Sequence, residues 1–504
     1  MSKTETFRIP MRACLILAVS LVSACTTSAT VEELPVNGVG PQAAPIAIPE
    51  IAPTPFPKRP TYNPGELVDY QAQPGDTLPA LAVHFNTSID EILEANPIIP
   101  NDASTMPPGL PMQIPIYYRP FWGSPHQIIP DSNFVNGPAA TSFDTGEFVN
   151  QHPGWLKDYV AYAAKETRTG AGIVDYVATN FSISPMVFLA LLEIQSNALS
   201  SQILAPETRV YPLGYEDVAH RGLYLQLVWA ANILNNGYYA WRTGSLTSFE
   251  LPDGRIEQPD PWQNAASVAF QVYFNQALPA KDYMQIIGPD GFSNLYTSLF
   301  GDAWEDESHI PGSLTQPEFR LPFEPNKEWA LTGGPHVGWG GRDGMPLSAL
   351  DFAPPSAVGG CVRSDEWATA VASGVVVRSE RGMVALDLDG DGDERTGWVI
   401  FYLHVETRER VQVGAILEAG DFIGHPSCEG GVATGSHVHI ARKYNGEWIP
   451  AAGIVPFVME NWIAFAGSGP YLGGMTRFGE TVTACECSSI NNQLSSNIPE
   501  NDSP

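Results

Sequence analysis

Between about residues 135 and 305 the apolar positions recur at helical spacing; between about 320 and 465 they alternate with polar ones in short runs bounded by glycine. The first pattern predicts helices and the second predicts strands, because helix neighbours lie three or four residues apart while strand side chains alternate between faces. Three helices stand out: SISPMVFLALLEIQ from Ser182, GLYLQLVWAANILNN ending at Gly237, and DPWQNAASVAFQVYFNQAL from Asp260. Ser184 before Pro185 supplies the first with a cap and a first-turn residue. Strands are predicted at 371–378, 383–388, 397–404 and 411–415, and in HVHIA at 437–441.

A smaller unit precedes these at 65–118. Its strand at 70–73 runs into PGDT, where Asp76 or Thr77 can cap a helix whose Leu78, Leu81, Ala82 and Phe85 share one face. Ser88 and Glu91 have capping-box spacing for a second helix, and a second strand closes near Ile114. Residues 25–64 carry a proline every few positions and predict an extended linker. The fold class is therefore multidomain: a small α+β module at 65–118, a mostly α domain at 135–305 and an antiparallel all-β domain at 320–465. A C-terminal tail at 466–504 follows and reads as disordered from about 488.

The formal net charge of -29 argues against a nucleic-acid partner. Residues 1–24 read as a signal peptide, with Lys3, Arg8 and Arg12 before an apolar run too short to span a membrane. The run ends VSAC, which resembles a bacterial lipobox. That resemblance implies lipidation of Cys25 and a membrane-anchored lipoprotein in the cell envelope; ordinary secretion with cleavage nearby is the alternative. Export permits disulfides among the four remaining cysteines.

The chemistry concentrates between Thr332 and His439. Two imidazoles and a carboxylate form a common set for a catalytic zinc, and His437 and His439, one residue apart on a strand, share a face. The candidates are His336, Asp351, His404, His437 and His439. His425 matches nothing and reads as structural. GGPH at 333–336, SALDF ending its acidic position at Asp351, the Y-x-H of His404 and CEGGVATGSHVH at 428–439 resemble the lysostaphin-type zinc peptidases, cell-wall endopeptidases, and within them the beta-lytic subgroup. Most of that family carries its first zinc histidine four residues before the aspartate, where this chain has Leu347; the beta-lytic subgroup takes it from GG-x-H. The resemblance implies one Zn2+ held by His336, Asp351 and His439, with His404 and His437 lining the site. It also implies a disulfide at Cys428, for which Cys361 is the best partner. Cys485 and Cys487 either pair or stay free.

Residues 65–118 resemble a LysM module, which implies binding of the N-acetylglucosamine of peptidoglycan through Gly75, Asp76, Thr77 and Leu78 and a segment at Asn96 and Pro97. The middle domain weakly resembles lysozyme-like domains. The expected catalytic glutamate falls near Gln195, so Glu193 is the candidate acid if the domain is active, and a silent wall-binding unit is the favoured reading. Asp387, Asp389, Asp391 and Asp393 resemble part of a Ca2+ loop, but its distal glutamate is absent and an acidic hairpin turn is favoured. The function these features imply is a zinc-dependent peptidoglycan endopeptidase targeted by LysM. An inactive wall-binding lipoprotein that activates other hydrolases, and a glycan-strand hydrolase using the middle domain, are the alternatives.

Overall fold

A computed structural model describes residues 59–117, 123–305, 308–342, 344–487 and 489–496. The signal segment, Cys25 and most of the 25–64 linker lie outside the described residues. In the small module, β1 (Glu66–Gln71) and β2 (Pro111–Ile116) pair antiparallel beside α1 (Leu78–His84) and α2 (Ile89–Ala95). The Ser88 hydroxyl accepts from Glu91 N–H while the Glu91 carboxylate accepts from Ser88 N–H, so the capping box forms as its spacing predicts.

The middle domain is built mainly on five helices: α3 (Gly170–Phe181), α4 (Pro185–Ser196), α5 (Leu223–Arg242), α6 (Ala265–Ala277) and α7 (Phe292–Phe300). Gly237 does not end α5. A Cβ there would lie 2.9 Å from Ala269 Cα of α6, so this glycine lets two helices approach closely instead of stopping one.

The third domain contains a nine-stranded antiparallel sheet. Its strands are β3 (Glu328–Val337), β4 (Leu347–Ala353), β5 (Gly374–Glu380), β6 (Met383–Asp387), β7 (Trp398–Leu403), β8 (Ile416–Leu417), β9 (Val438–Tyr444) and β10 (Glu447–Trp448), with a late strand described below. The predicted strand at 411–415 is a turn, because Gly414 takes a φ of +85° that extended backbone excludes. A separate four-stranded sheet joins β11 (Val458–Met459), β12 (Trp462–Ala466), β13 (Gly473–Arg477) and β14 (Glu480–Thr483). Much of the expected tail is therefore ordered. Beyond residue 488, β15 (Gln493–Ser495) pairs with Glu328–Ala330 at the edge of β3 and buries Leu494. Polar composition concealed this strand, since one buried leucine and the open hydrogen bonds of an edge suffice to hold it. The order across the large sheet is β8-β5-β6-β7-β9-β4-β3-β15, with β10 on β9.

Both faces of this sheet are covered, whereas an antiparallel sheet commonly leaves one face wet. Leu350, Val384, Leu386, Ile400, Tyr402 and Ile440 face a core inside the β domain. Their neighbours Ala349, Met383, Phe401, Leu403, Ala441 and Trp448 join the core of the helical domain. Burial of each large side chain is worth about 1.5–3 kcal/mol, so this contact exceeds the small polar interfaces of loosely linked domains. Arg242 at the end of α5 completes the joint. It donates to Glu447, to the Tyr238 hydroxyl and to the Pro74 carbonyl of the small module, and lies 3.3 Å from Asp131.

Candidate metal centre

Three adjacent strands bring the candidate ligands together. Asp351 on β4 stands directly opposite His439 on β9, and β3 lies on the other side of β4. The β3–β4 register shifts repeatedly through 331–337, which aims His336 toward Asp351. The two glycines before Pro335 are needed for this. A Cβ on Gly333 would lie 2.4 Å from Asp351 Oδ2, and one on Gly334 would lie 2.7 Å from the Leu472 carbonyl. Leu347, at the family's usual histidine position, opens β4 opposite Val337, and His336 reaches the cluster from the neighbouring strand instead.

Hydrogen bonds fix both imidazoles. His336 Nδ1–H donates to the Gly334 carbonyl at 2.8 Å, which leaves its Nε2 lone pair free. His439 Nε2–H donates to the Gly338 carbonyl at 3.0 Å, which frees Nδ1. Those two free nitrogens lie 3.0 Å apart, and each is 3.2 Å from Asp351 Oδ1. Since both ring protons are engaged by glycine carbonyls, Asp351 Oδ1 is buried with no donor. Zinc bonds of about 2.0–2.1 Å at tetrahedral angles separate donor atoms by about 3.3 Å, so the donor set fits such an ion. The charges agree. Burial works to raise Asp351, but His336 and His437 outweigh it and hold the carboxyl well below its usual range. Burial disfavours charge on His336, yet Asp351 outweighs it and raises that pKa. The cluster favours a positive charge, which a bound metal would supply in place of a proton.

His404 and His437 flank this cluster with ring centres 4.4 Å apart. His404 Nδ1–H donates to the Glu429 carbonyl at 2.8 Å and His437 Nδ1–H to the Gly435 carbonyl at 2.7 Å, leaving Nε2 of each as an acceptor. Burial first, then His437 and His439, push His404 down to about 3, so it is neutral at ordinary pH. His404 also holds a φ of +65°, the kind of strained backbone found at functional sites. A disulfide joins Cys361 to Cys428, the residue before Glu429. Cys485 and Cys487 are also bonded to each other. Tyr471, from the segment read as tail, stacks on His336 at 4.2 Å between ring centres. No spacing in the sequence links Tyr471 to the histidine motifs, and only tertiary structure reveals it.

The other candidates lie outside this cluster. Gly75 packs against the Arg242 guanidinium, and Leu78 belongs to the module's core. The Asp76 carboxylate accepts from Tyr70 and from Gln73 N–H, and burial pushes it up to about 6. Thr77 caps α1, and Asn96 is buried with bonds to the backbone of Ile92 and Gln113. Of the six residues named for glycan, Pro97 alone is exposed, beside an exposed Ile98. Glu193 accepts from the backbone N–H of Leu199 and Ser200 and from the Ser200 hydroxyl, so it closes the end of α4. Gln195 is tied to the Leu213 carbonyl and the Tyr273 hydroxyl. Asp387 accepts from the N–H groups of Asp389 and Gly392, the same pattern repeats at Asp389 and Asp391, and carboxylate oxygens of these three residues lie within 4.8 Å of one another. His425 bonds the Glu366 carbonyl and Glu409, a structural use.

Comparison with known proteins agrees with this organisation. A family model described as LysM domain matches residues 70–115, and one described as LasA, N-terminal domain, matches residues 127–313. The chain thus carries a LysM-like module and a region similar to the LasA N-terminal domain ahead of the sheet that holds the His–Asp–His arrangement. Among curated proteins it is similar to Protease LasA of Pseudomonas aeruginosa strain PAO1, 24% identical over 343 residues, 64% of this chain and 75% of that one. Among solved structures, the deep-sea M23 metalloprotease pseudoalterin is 23% identical, with 34% of this chain and 96% of that chain covered and a TM-score of 0.28. The catalytic domain of lysostaphin from Staphylococcus simulans is 24% identical, with 25% and 90% covered and a TM-score of 0.17. The middle domain is thus similar to the LasA N-terminal domain over residues 127–313.

Proposed function

We propose that this chain is a zinc-dependent peptidoglycan endopeptidase that cleaves peptide stems or cross-bridges of the bacterial cell wall. The observation that carries this reading is the meeting of two imidazole lone pairs and a buried, donorless carboxylate oxygen within 3.0–3.2 Å of one another. A zinc ion held by His336, Asp351 and His439 would polarise the scissile carbonyl and acidify a water molecule. His437 carries its proton on Nδ1, so its Nε2 can accept a proton from the attacking water and return it to the leaving amine. That Nε2 lies 3.6 Å from Asp351 Oδ1. His404 stays neutral and offers Nε2 as a second acceptor that orients the water.

The LysM module would raise the local concentration of enzyme on an insoluble substrate. Because residues 75–78 are largely occupied within the chain, we place glycan contact on the exposed side near Pro97 and Ile98. Lipidation at Cys25 would tether the protein in the envelope, and the linker would give it reach. No helix among the described residues is long and apolar enough to cross a membrane.

The test is mass spectrometry of purified peptidoglycan incubated with the soluble protein from residue 26 onward, with and without a zinc chelator. New amino termini that disappear on chelation are expected. Intact peptides in several wall types would overturn the reading.

A further inference from the structure

The metal site lies on the sheet face that the helical domain covers: Asp351 follows the register of Ala349, and His439 that of Ala441, both of which join the helical core. The loop between His336 and Asp351 therefore runs along the helical domain. Two of its backbone N–H groups are capped from there. Gly341 N–H donates to Asn232 Oδ1 and Met345 N–H to Asn236 Oδ1, both at 2.8 Å. Asn232 and Asn236 are four residues apart on α5 and so share one helix face. Trp339, beside the glycine run, packs into the helical core and stands edge-on to Phe401 at 5.9 Å. A Cβ on Gly340 would lie 2.8 Å from Asn232 Oδ1, so the loop meets α5 through glycine. The same loop begins with Gly338, whose carbonyl takes the His439 proton and so decides which ring nitrogen faces Asp351.

We infer that Asn232 and Asn236 are positioning residues for the metal centre. The pair fixes the backbone at Gly341 and Met345, these anchors hold the run that begins at the Gly338 carbonyl, and that carbonyl holds His439 in its ligating tautomer. The helical domain thereby completes the peptidase site from outside the peptidase sheet. This rests on the metal-binding reading above and adds the part played by α5. Outer partners of ligating histidines change metal affinity by about 10–100-fold when removed. A pair acting one step further out belongs at the low end of that range.

The test is zinc affinity of the full chain, measured by competition with a chromophoric chelator. The parent is compared with Asn232→Ala/Asn236→Ala and with Asn232→Asp/Asn236→Asp, which retains an acceptor oxygen at each position. We expect one zinc per parent chain, about tenfold weaker binding in the alanine pair, and recovery to within about threefold in the aspartate pair. A general loss of packing would not be repaired by restoring an acceptor. If the alanine pair does not fold, the single alanine variants are read in its place. Unchanged zinc affinity on losing the acceptors, with the parent binding one zinc, overturns the inference and leaves the proposed function standing. A parent that binds no zinc overturns both.

Discussion

The Arg242 guanidinium and the buried Glu447 carboxylate meet at 3.0 Å, although they belong to the helical domain and the nine-stranded sheet. Arg242 also reaches the Pro74 carbonyl, so one side chain bonds to all three structured units. His309 and Tyr238 complete the shell of Glu447 at 2.7 and 2.9 Å.

Removing one partner of such a pair leaves the other charge buried, which costs about 3–5 kcal/mol. Glu447→Gln is expected to lose stability of that order at pH 7 in denaturant unfolding. Burial works to raise Glu447, but Arg242 and His309 outweigh it and hold its pKa at about 2, below the ordinary 4.5. Its contribution is then complete above pH 4.5 and lost as pH falls toward 2. The gap between parent and variant should close through that window. A gap that stayed constant from pH 6 to pH 2 would refute the assignment.

Asp351→Asn and His336→Ala remove a donor atom each from a three-membered set. Zinc retained after dialysis should fall from one per chain to near zero, with wall hydrolysis reduced about a hundredfold or more. In the parent, free zinc at about 1,000 times its Kd should stabilise the fold by about 4 kcal/mol. Full zinc occupancy in His336→Ala would return the first-ligand role to another residue.

His404→Ala and His437→Ala should separate chemistry from metal binding. Neither imidazole belongs to the group His336, Asp351, His439. Zinc content should survive while turnover drops by about 10²–10⁴. A loss of zinc equal to that of Asp351→Asn would make these residues ligands.

Glu193→Gln tests the silent reading of the helical domain. The carboxylate holds the turn after α4 through three hydrogen bonds. Stability should fall by about 1–2 kcal/mol, with release of peptides from peptidoglycan unchanged. Loss of a glycan-cleaving activity in this variant would show that Glu193 has a catalytic role.

The histidine motifs were legible because strand alternation is a local rule: His437 and His439 share a face whatever surrounds them. Asp351 and His336 needed a family pattern, since their meeting depends on an irregular β3–β4 register that no periodicity announces. The capping box at Ser88 and Glu91 was readable for the same local reason, and so was the helical character of the middle domain. Gly237 misled because a glycine that stops a helix and one that admits a neighbouring helix look alike in sequence. The loop at Gly75 shows the same limit from another side. Its turn chemistry is local and was read correctly, but what faces it is Arg242, far along the chain. Tyr471, Asn232 and Asn236 gave no local signal, because their contacts with the site are purely tertiary.

The pairing of Gln493–Ser495 with Glu328–Ala330 bears on the order in which the molecule is made. A chain emerging from its N-terminal end presents β3, which carries His336, roughly 160 residues before the strand that covers its outer edge, and contacts so distant in sequence form late. Until β15 arrives, β3 is a sheet edge open to pairing with any other extended chain. The last strand thus acts as a cover for the nascent sheet, and a polypeptide cut short before it would leave that edge as a starting point for aggregation.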